Sequence, residues 1–304
     1  MEYRPLGSTG LTTSVIGFGA WAIGGSGWGP VDDQMSLRAL EEAIDLGVTL
    51  IDTADAYGPR HSEELVARVL GGRRDRLIVA TKVGNDFYHE PRAKNFAPDY
   101  LRFALDQSLR RLGTDYVDLY QLHNPSEEVI RRGEAFAALE DLRAQGKLRW
   151  WGVSVGPVRE GVAALECGTP ATLQVVYNLL QREPATELFP AARAKGVGII
   201  ARVPLASGLL TGKFGPGTTF PPGDHRGNWK PEQLAANLER VERLRFLATG
   251  RTLAQAALRF CLADPAVSVV IPGAKTAAQV RENVGAIAAP PLDAAELERV
   301  RSVV

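Results

Sequence analysis

The sequence predicts an eight-stranded parallel (β/α)8 barrel over residues 1–304, one domain, with a small N-terminal β-hairpin and one extra C-terminal helix. Three observations predict it. Short apolar runs recur along the chain, each followed by a stretch of helical periodicity. Those runs do not alternate apolar with polar residues, as strands buried on both faces require. Glycines stand where a helical pattern stops and the next strand begins. Strand–helix alternation implies parallel strands joined by crossover helices, and eight such units close into a barrel.

Residues 3–13 (YRPLGSTGLTT) are the expected hairpin, with Gly-Ser-Thr-Gly at its turn. Strands follow at 15–17, 49–52, 77–81, 117–121, 151–155, 173–176, 198–201 and 267–271. Leu37, Leu40, Ile44 and Leu46 mark the first crossover helix, and Leu65, Val66, Val69 and Leu70 the second. Leu101, Leu105, Leu109 and Leu112 mark the third, and Phe136, Leu139 and Leu142 the fourth. Shorter helices are expected at 158–165 and 188–195, two helices between 231 and 262, and the last barrel helix near 276–287. Gly47, Gly113, Gly146 and Gly196 read as the glycines that end helices, and Asp99 and Pro231 stand near helix starts. Residues 203–230 form a Gly- and Pro-rich loop too long to be idle in a compact domain. Residues 292–304 read as a final helix.

Lys plus Arg and Asp plus Glu both total 35, so no net field draws the chain to nucleic acid or to an anionic membrane. Hydrophobic residues at 45% and charged ones at 23% describe an ordinary globular chain. Cys167 and Cys261 are far apart, which excludes a CxxC site and a disulfide framework and fits a reducing compartment. No apolar run approaches the ~18 residues of a membrane span. The start, MEYRPLGSTG, lacks the basic-then-apolar order of a secretion signal. The expectation is a cytoplasmic monomer or small homo-oligomer acting on a small molecule.

In such a barrel the active site lies at the C-terminal ends of the strands. The second strand ends in Leu-Ile-Asp52-Thr-Ala-Asp55-Ala-Tyr57-Gly58, the third in Ala-Thr-Lys82, and the fourth in Leu-Tyr-Gln-Leu-His123. Singly, the Asp reads as a turn residue, the Lys as a solvated loop end and the His as a structural side chain. Together on three consecutive strand ends they read as chemistry. An ammonium beside a phenol stabilises the phenolate and makes the tyrosine a better acid near neutrality. A carboxylate holds the lysine charged, and a neutral imidazole donates a hydrogen bond to a carbonyl oxygen. Such a set protonates a carbonyl oxygen while a hydride arrives at its carbon. His61, His89 and His225 lack this context and read as surface or loop residues, no HExxH spacing occurs, and no metal is expected.

These residues resemble the aldo-keto reductase family. The likeness includes Ile-Asp52-Thr-Ala-Asp-Ala-Tyr57-Gly, Lys82 and Leu-His123-Asn124-Pro, and it runs through the chain. Gly17-Phe-Gly19-Ala20-Trp21, Gly152-Val-Ser154, Gln174…Tyr177-Asn178, Pro204-Leu-Ala-Ser207-Gly208-Leu209-Leu210-Thr-Gly212-Lys213 and Ile271-Pro272-Gly273-Ala-Lys275 continue it, with Gln279, Glu282 and Asn283. The bacterial branch related to inositol-operon reductases is the nearest in flavour, and the β subunits of voltage-gated potassium channels are similar too.

The resemblance implies Tyr57 as general acid, Asp52 and Lys82 tuning it, and His123 orienting the carbonyl. It implies NADP(H), with Ser154 and Gln174 on the nicotinamide carboxamide and Gly19, Ala20, Trp21 and Asp52 nearby. Pro204, Leu205, Ser207, Gly208, Leu210 and Lys213 would wrap the pyrophosphate. Gly273, Lys275, Gln279, Glu282 and Asn283 would hold the adenosine end, with Lys275 on a 2′-phosphate. Two positions depart from the family pattern: Val155 stands where many members carry Asn, and Arg202 stands where an aromatic residue often covers the nicotinamide. Trp21 and Trp28 read either as core or as an aromatic wall of the substrate pocket, and Phe87, Tyr88 and Asn124 join that pocket. Trp150 and Trp151 are structural, and Arg73-Arg74 and Arg131-Arg132 are solvated.

Rival readings fare worse. Gly17-Phe-Gly19-Ala20-Trp21-Ala22 fits G-x-G-x-x-A, but the Gly-rich stretch from Gly24 to Pro30 follows where that motif opens a helix. None of the seven tyrosines has Lys four residues on, as a short-chain dehydrogenase needs. A barrel enzyme acting on phosphorylated substrates would use the 207–213 loop equally well, but phosphate-ester chemistry would more naturally want metal ligands. A cofactor-binding regulatory module, as the channel β subunits exemplify, is the alternative function, and all four catalytic positions are filled here.

Overall fold

A computed structural model describes residues 1–303. Its centre is a TIM barrel of eight strands: Phe18–Gly19, Leu50–Asp52, Ile78–Val83, Val117–His123, Leu148–Ser154, Thr172–Val176, Gly198–Arg202 and Val267–Ile271. Each pairs in parallel with the next. The first strand divides its work. Residues 18–19 pair with the second strand, while the residues expected as strand, 15–17, close the barrel onto the eighth: Ile16 bridges Val270, and the Val270 amide donates to the Val15 carbonyl at 2.9 Å. Gly17 stands where this closure is tight, since a Cβ there would lie 3.0–3.2 Å from Ile271, Val269 and Leu50.

The hairpin, Tyr3–Pro5 paired with Thr12–Ser14, seals the N-terminal end of the barrel. Its Leu6 is fully buried in the interior cluster with Leu50, Ile78, Leu119, Ile200 and Val269. The Ser8 amide donates to the Gly196 carbonyl, ahead of the seventh strand, at 2.7 Å. The opposite end is left for polar side chains. A second and larger apolar layer joins strands to the surrounding helices.

The helix-ending glycines behave as the sequence predicts: Gly47, Gly113, Gly146 and Gly196 have φ of 89°, 63°, 75° and 68°, where a side chain would be strained. The 231–262 region is two helices, Pro231–Arg243 and Leu253–Ala263, the second opened by a Thr252–Gln255 capping box. The last helix is Ala294–Val303. A short helix, Glu127–Arg132, was not legible, because Val129 and Ile130 alone give no periodicity. Arg74 is not the solvated residue its Arg-Arg context suggests: it pairs with buried Asp118 at 2.7 Å and donates to the Leu77 and Tyr116 carbonyls. Both cysteines are free. No helix among the described residues is long and apolar enough to cross a membrane.

Candidate active site

Four residues from three adjacent strands converge at the open end of the barrel. The Lys82 ammonium, fully buried, donates to Asp52 Oδ1 at 2.5 Å, to the Thr53 carbonyl at 2.9 Å and to Tyr57 Oη at 3.1 Å. Its three protons thus have three acceptors. The His123 ring stands edge-on to the Tyr57 ring, with centroids 5.8 Å apart. The turn carrying Tyr57 packs against the loop after the first strand: a Cβ on Gly58 would fall 1.4 Å from the Gly24 carbonyl oxygen. Only glycine, at φ 59°, lets the two segments meet there.

Asp52 is 2% exposed, and its second oxygen accepts from Gln121 Nε2 at 3.1 Å and Gln174 Nε2 at 2.7 Å. The Gln174 amide nitrogen therefore faces the carboxylate. Gln121 was not singled out from the sequence, although it lies directly across from Lys82 on the next strand. With Asp118 it interrupts the apolar run of this strand, which was the available signal.

The electrostatics correct one expectation. Burial drives the Tyr57 phenol above its ordinary value; Lys82 pulls it back only in part, and Asp52 adds to the rise. The neighbouring ammonium therefore does not make Tyr57 a stronger acid overall, but a firmly protonated one. Burial alone would lower Lys82, yet Asp52 and then Tyr57 carry it above its usual value. Burial, with Lys82, Lys94 and Arg202 nearby, holds His123 well below the ordinary histidine range, hence neutral. The His123 ring nitrogen Nδ1 lies 3.0 Å from Asn85 Nδ2.

A cavity of about 790 Å³ opens over these residues. Most residues singled out from the sequence line it, and five do not: Ala20, Lys82, Leu210, Phe87 and Tyr88. Lys82 lies beneath Tyr57, and Ala20 and Leu210 are fully buried. Phe87 and Tyr88 correct the substrate-pocket expectation. The Asp86 carboxylate accepts from the amides of residues 88 and 89, and the chain after it carries Tyr88 against Phe103 and Arg111 of the third crossover helix. Trp21 and Trp28 do form an aromatic wall, with centroids 5.2 Å apart. His225, read as a loop residue, stacks on Trp21 at 5.1 Å and meets Trp28 edge-on at 4.6 Å. Only the folding of the long loop over the first brings it there, through bridges from Asp224 to Gly27 and Trp28.

The cavity also carries positive charge. Lys213, Arg226 and Lys275 line it beside the start of helix Ala277–Gly285, whose cap is Thr276. Arg226 pairs with Asp224 at 2.5 Å and also donates to the Ser207 carbonyl at 3.3 Å. Lys275 Nζ donates to the Trp28 and Pro30 carbonyls at 2.6 and 3.3 Å, tying the loop after the eighth strand to the aromatic wall. Nearer the tetrad, the Arg202 Nε is buried without a partner, while a terminal nitrogen of that residue donates to the Val155 carbonyl at 3.0 Å. Size, positive lining and an orphaned donor beside Tyr57 fit an elongated phosphorylated dinucleotide reaching from helix Ala277–Gly285 to the tetrad.

The comparisons with known proteins agree with this fold. The profile of the aldo/keto reductase family matches residues 15–304. The chain is 34% identical over 289 residues to aldo-keto reductase YhdN of Bacillus subtilis (strain 168), covering 92% of this chain and 87% of that one. It is 33% identical to the NADH-specific methylglyoxal reductase of Escherichia coli (strain K12), covering 94% of each. Among solved structures, the holo form of aldo-keto reductase AKR11C1 from Bacillus halodurans superposes with a TM-score of 0.86 at 33% identity, covering 100% of this chain and 96% of that one.

Proposed function

The chain belongs to the aldo/keto reductase family, and from that premise we propose that it is an NADP(H)-dependent reductase of aldehydes, ketones or sugars in which Tyr57 gives the proton. One observation carries the reading: a fully buried lysine holds a tyrosine hydroxyl, with a histidine ring edge-on to it, at the mouth of a cavity lined by four cations.

A nicotinamide nucleotide bound in the cavity supplies the hydride. Trp21 and Trp28 exclude water from the reacting end. His123 donates a hydrogen bond to the carbonyl oxygen and so fixes it beside the Tyr57 hydroxyl. As charge develops on that oxygen, Tyr57 releases its proton to it, and the Lys82 ammonium stabilises the phenolate left behind. Asp52, Gln121 and Gln174 keep Lys82 charged and in place. In the reverse direction the phenolate takes the alcohol's proton. The test is cofactor oxidation, followed at its absorbance, across a panel of aldehydes, ketones and sugars. Turnover supports the reading; tight NADPH binding with no turnover on any of them supports the regulatory alternative.

Nucleotide choice rests on Lys275. Its ammonium gives two protons to the Trp28 and Pro30 carbonyls, which leaves a third for a charged 2′-phosphate oxygen. Lys275→Ala is expected to weaken NADPH about tenfold, close to 1.4 kcal/mol, and NADH less. Equal losses, measured by titration, argue against a 2′-phosphate contact. Arg202 bears on redox preference. A guanidinium at the nicotinamide repels the oxidised, cationic ring, so Arg202→Tyr should narrow the gap in affinity between NADPH and NADP+. An unchanged gap refutes this.

A further inference from the structure

The segment after the third barrel strand, residues 84–97, carries no sequence motif, yet it grips His123 from two sides. It forms a small antiparallel hairpin in which Asn85 pairs with Lys94 and Asp86 with Ala93. Lys94 Nζ donates to the backbone carbonyl of His123 at 2.7 Å, and Asn85 Nδ2 meets the ring nitrogen Nδ1 at 3.0 Å. We propose that Asn85 is a positioning residue for the reduction: it holds His123 as the neutral tautomer protonated on Nε2, leaving Nε2–H as the ring's donor to the substrate carbonyl.

The donor inventory carries this step. An amide nitrogen has protons to give and no lone pair to offer. The ring atom facing it must therefore be the acceptor, which leaves the imidazole's one proton on the other nitrogen. An imidazolium would set N–H against N–H at this contact. The charged groups around the ring act in the same sense: Lys82 from the third strand, Lys94 from the hairpin and Arg202 from the seventh strand are all cations, and Tyr57 is neutral.

Asn85 is itself held from several directions. The Tyr100 hydroxyl donates to its carbonyl at 3.3 Å, and the Asn95 amide donates to the Gly84 carbonyl at 3.1 Å. The neighbouring Asp86 carboxylate, 6% exposed, accepts from two turn amides and from Asn95 Nδ2. A hairpin braced by its own buried acid is a rigid mount for one side chain. This role rests on the reductase reading for its purpose, but the state of the ring can be read without turnover.

The test uses the full-length protein labelled with 15N-histidine, with the His123 signals assigned through His123→Asn. Wild type is expected to show Nε2 protonated and Nδ1 bare. Asn85→Leu, of similar size and without a donor, should lose that single tautomer and lower kcat roughly ten- to a hundredfold with NADPH affinity unchanged. Asn85→Asp should move the proton to Nδ1 and shift the acid limb of the kcat profile to higher pH. A wild-type ring protonated on Nδ1, or Asn85→Leu and Asn85→Asp with wild-type kcat and acid limb, overturns the proposal. Altered tautomers in a protein that turns over no carbonyl keep the hold on the ring and overturn the reductase reading instead.

Discussion

Tyr57→Phe is expected to lower kcat for carbonyl reduction about a thousandfold, the scale of a lost general acid, while NADPH affinity changes less than twofold. The substitution removes one oxygen and leaves Lys82 with Asp52 and the Thr53 carbonyl as acceptors, so the buried lysine stays anchored. Residual turnover within tenfold of wild type would remove Tyr57 from the chemistry. The same residue sets the pH behaviour. Its phenol is raised above the ordinary ~10 by burial, so it carries its proton throughout the neutral range. Reduction, which needs that proton, should then be level from pH 6 to 9. Its acid limb, if His123 sets it, lies below the ordinary histidine range. Alcohol oxidation, which needs the phenolate, should climb with pH over the same interval. Parallel profiles in the two directions would contradict a single proton donor and acceptor.

Much of this site was legible because a parallel barrel converts strand ends into neighbours. Asp52, Lys82 and His123 each follow an apolar run, and once eight runs are counted the fold brings them to one rim. The cofactor half was legible for a different reason: its residues come as motifs in order, which is resemblance rather than physics. What escaped was whatever depends on how irregular chain folds back. His225 reaches the aromatic wall only because Asp224 bridges the first loop. Phe87 and Tyr88 follow Lys82 closely in sequence, yet the turn capped by Asp86 sends Tyr88 onto a helix. Asn85, two residues before Phe87, goes to the site instead. The sign of the Tyr57 shift also escaped, since a sequence names the ammonium beside the phenol but not the depth at which both are buried.

Lys82→Met tests whether the tetrad is a structural ion pair as well as a chemical device. The substitution keeps volume and removes the charge that balances Asp52, which is 2% exposed. Stranding a buried carboxylate costs about 3–5 kcal/mol, or roughly 10 °C in Tm for a chain of this size. Gln121 and Gln174 still donate to its second oxygen, which places the loss toward the lower end. The substitution also removes a pH-dependent contribution. In wild type the raised Lys82 contributes stability that is complete below the ordinary lysine value of ~10.4 and fades only as pH rises through its own higher one. Asp52→Asn combined with Lys82→Met removes both charges and should recover most of the Tm, yet no activity, because nothing then stabilises the Tyr57 phenolate. A single variant with wild-type Tm at every pH would mean that Asp52 needs no counter-charge. A double variant that regained turnover would mean that Tyr57 works without its lysine.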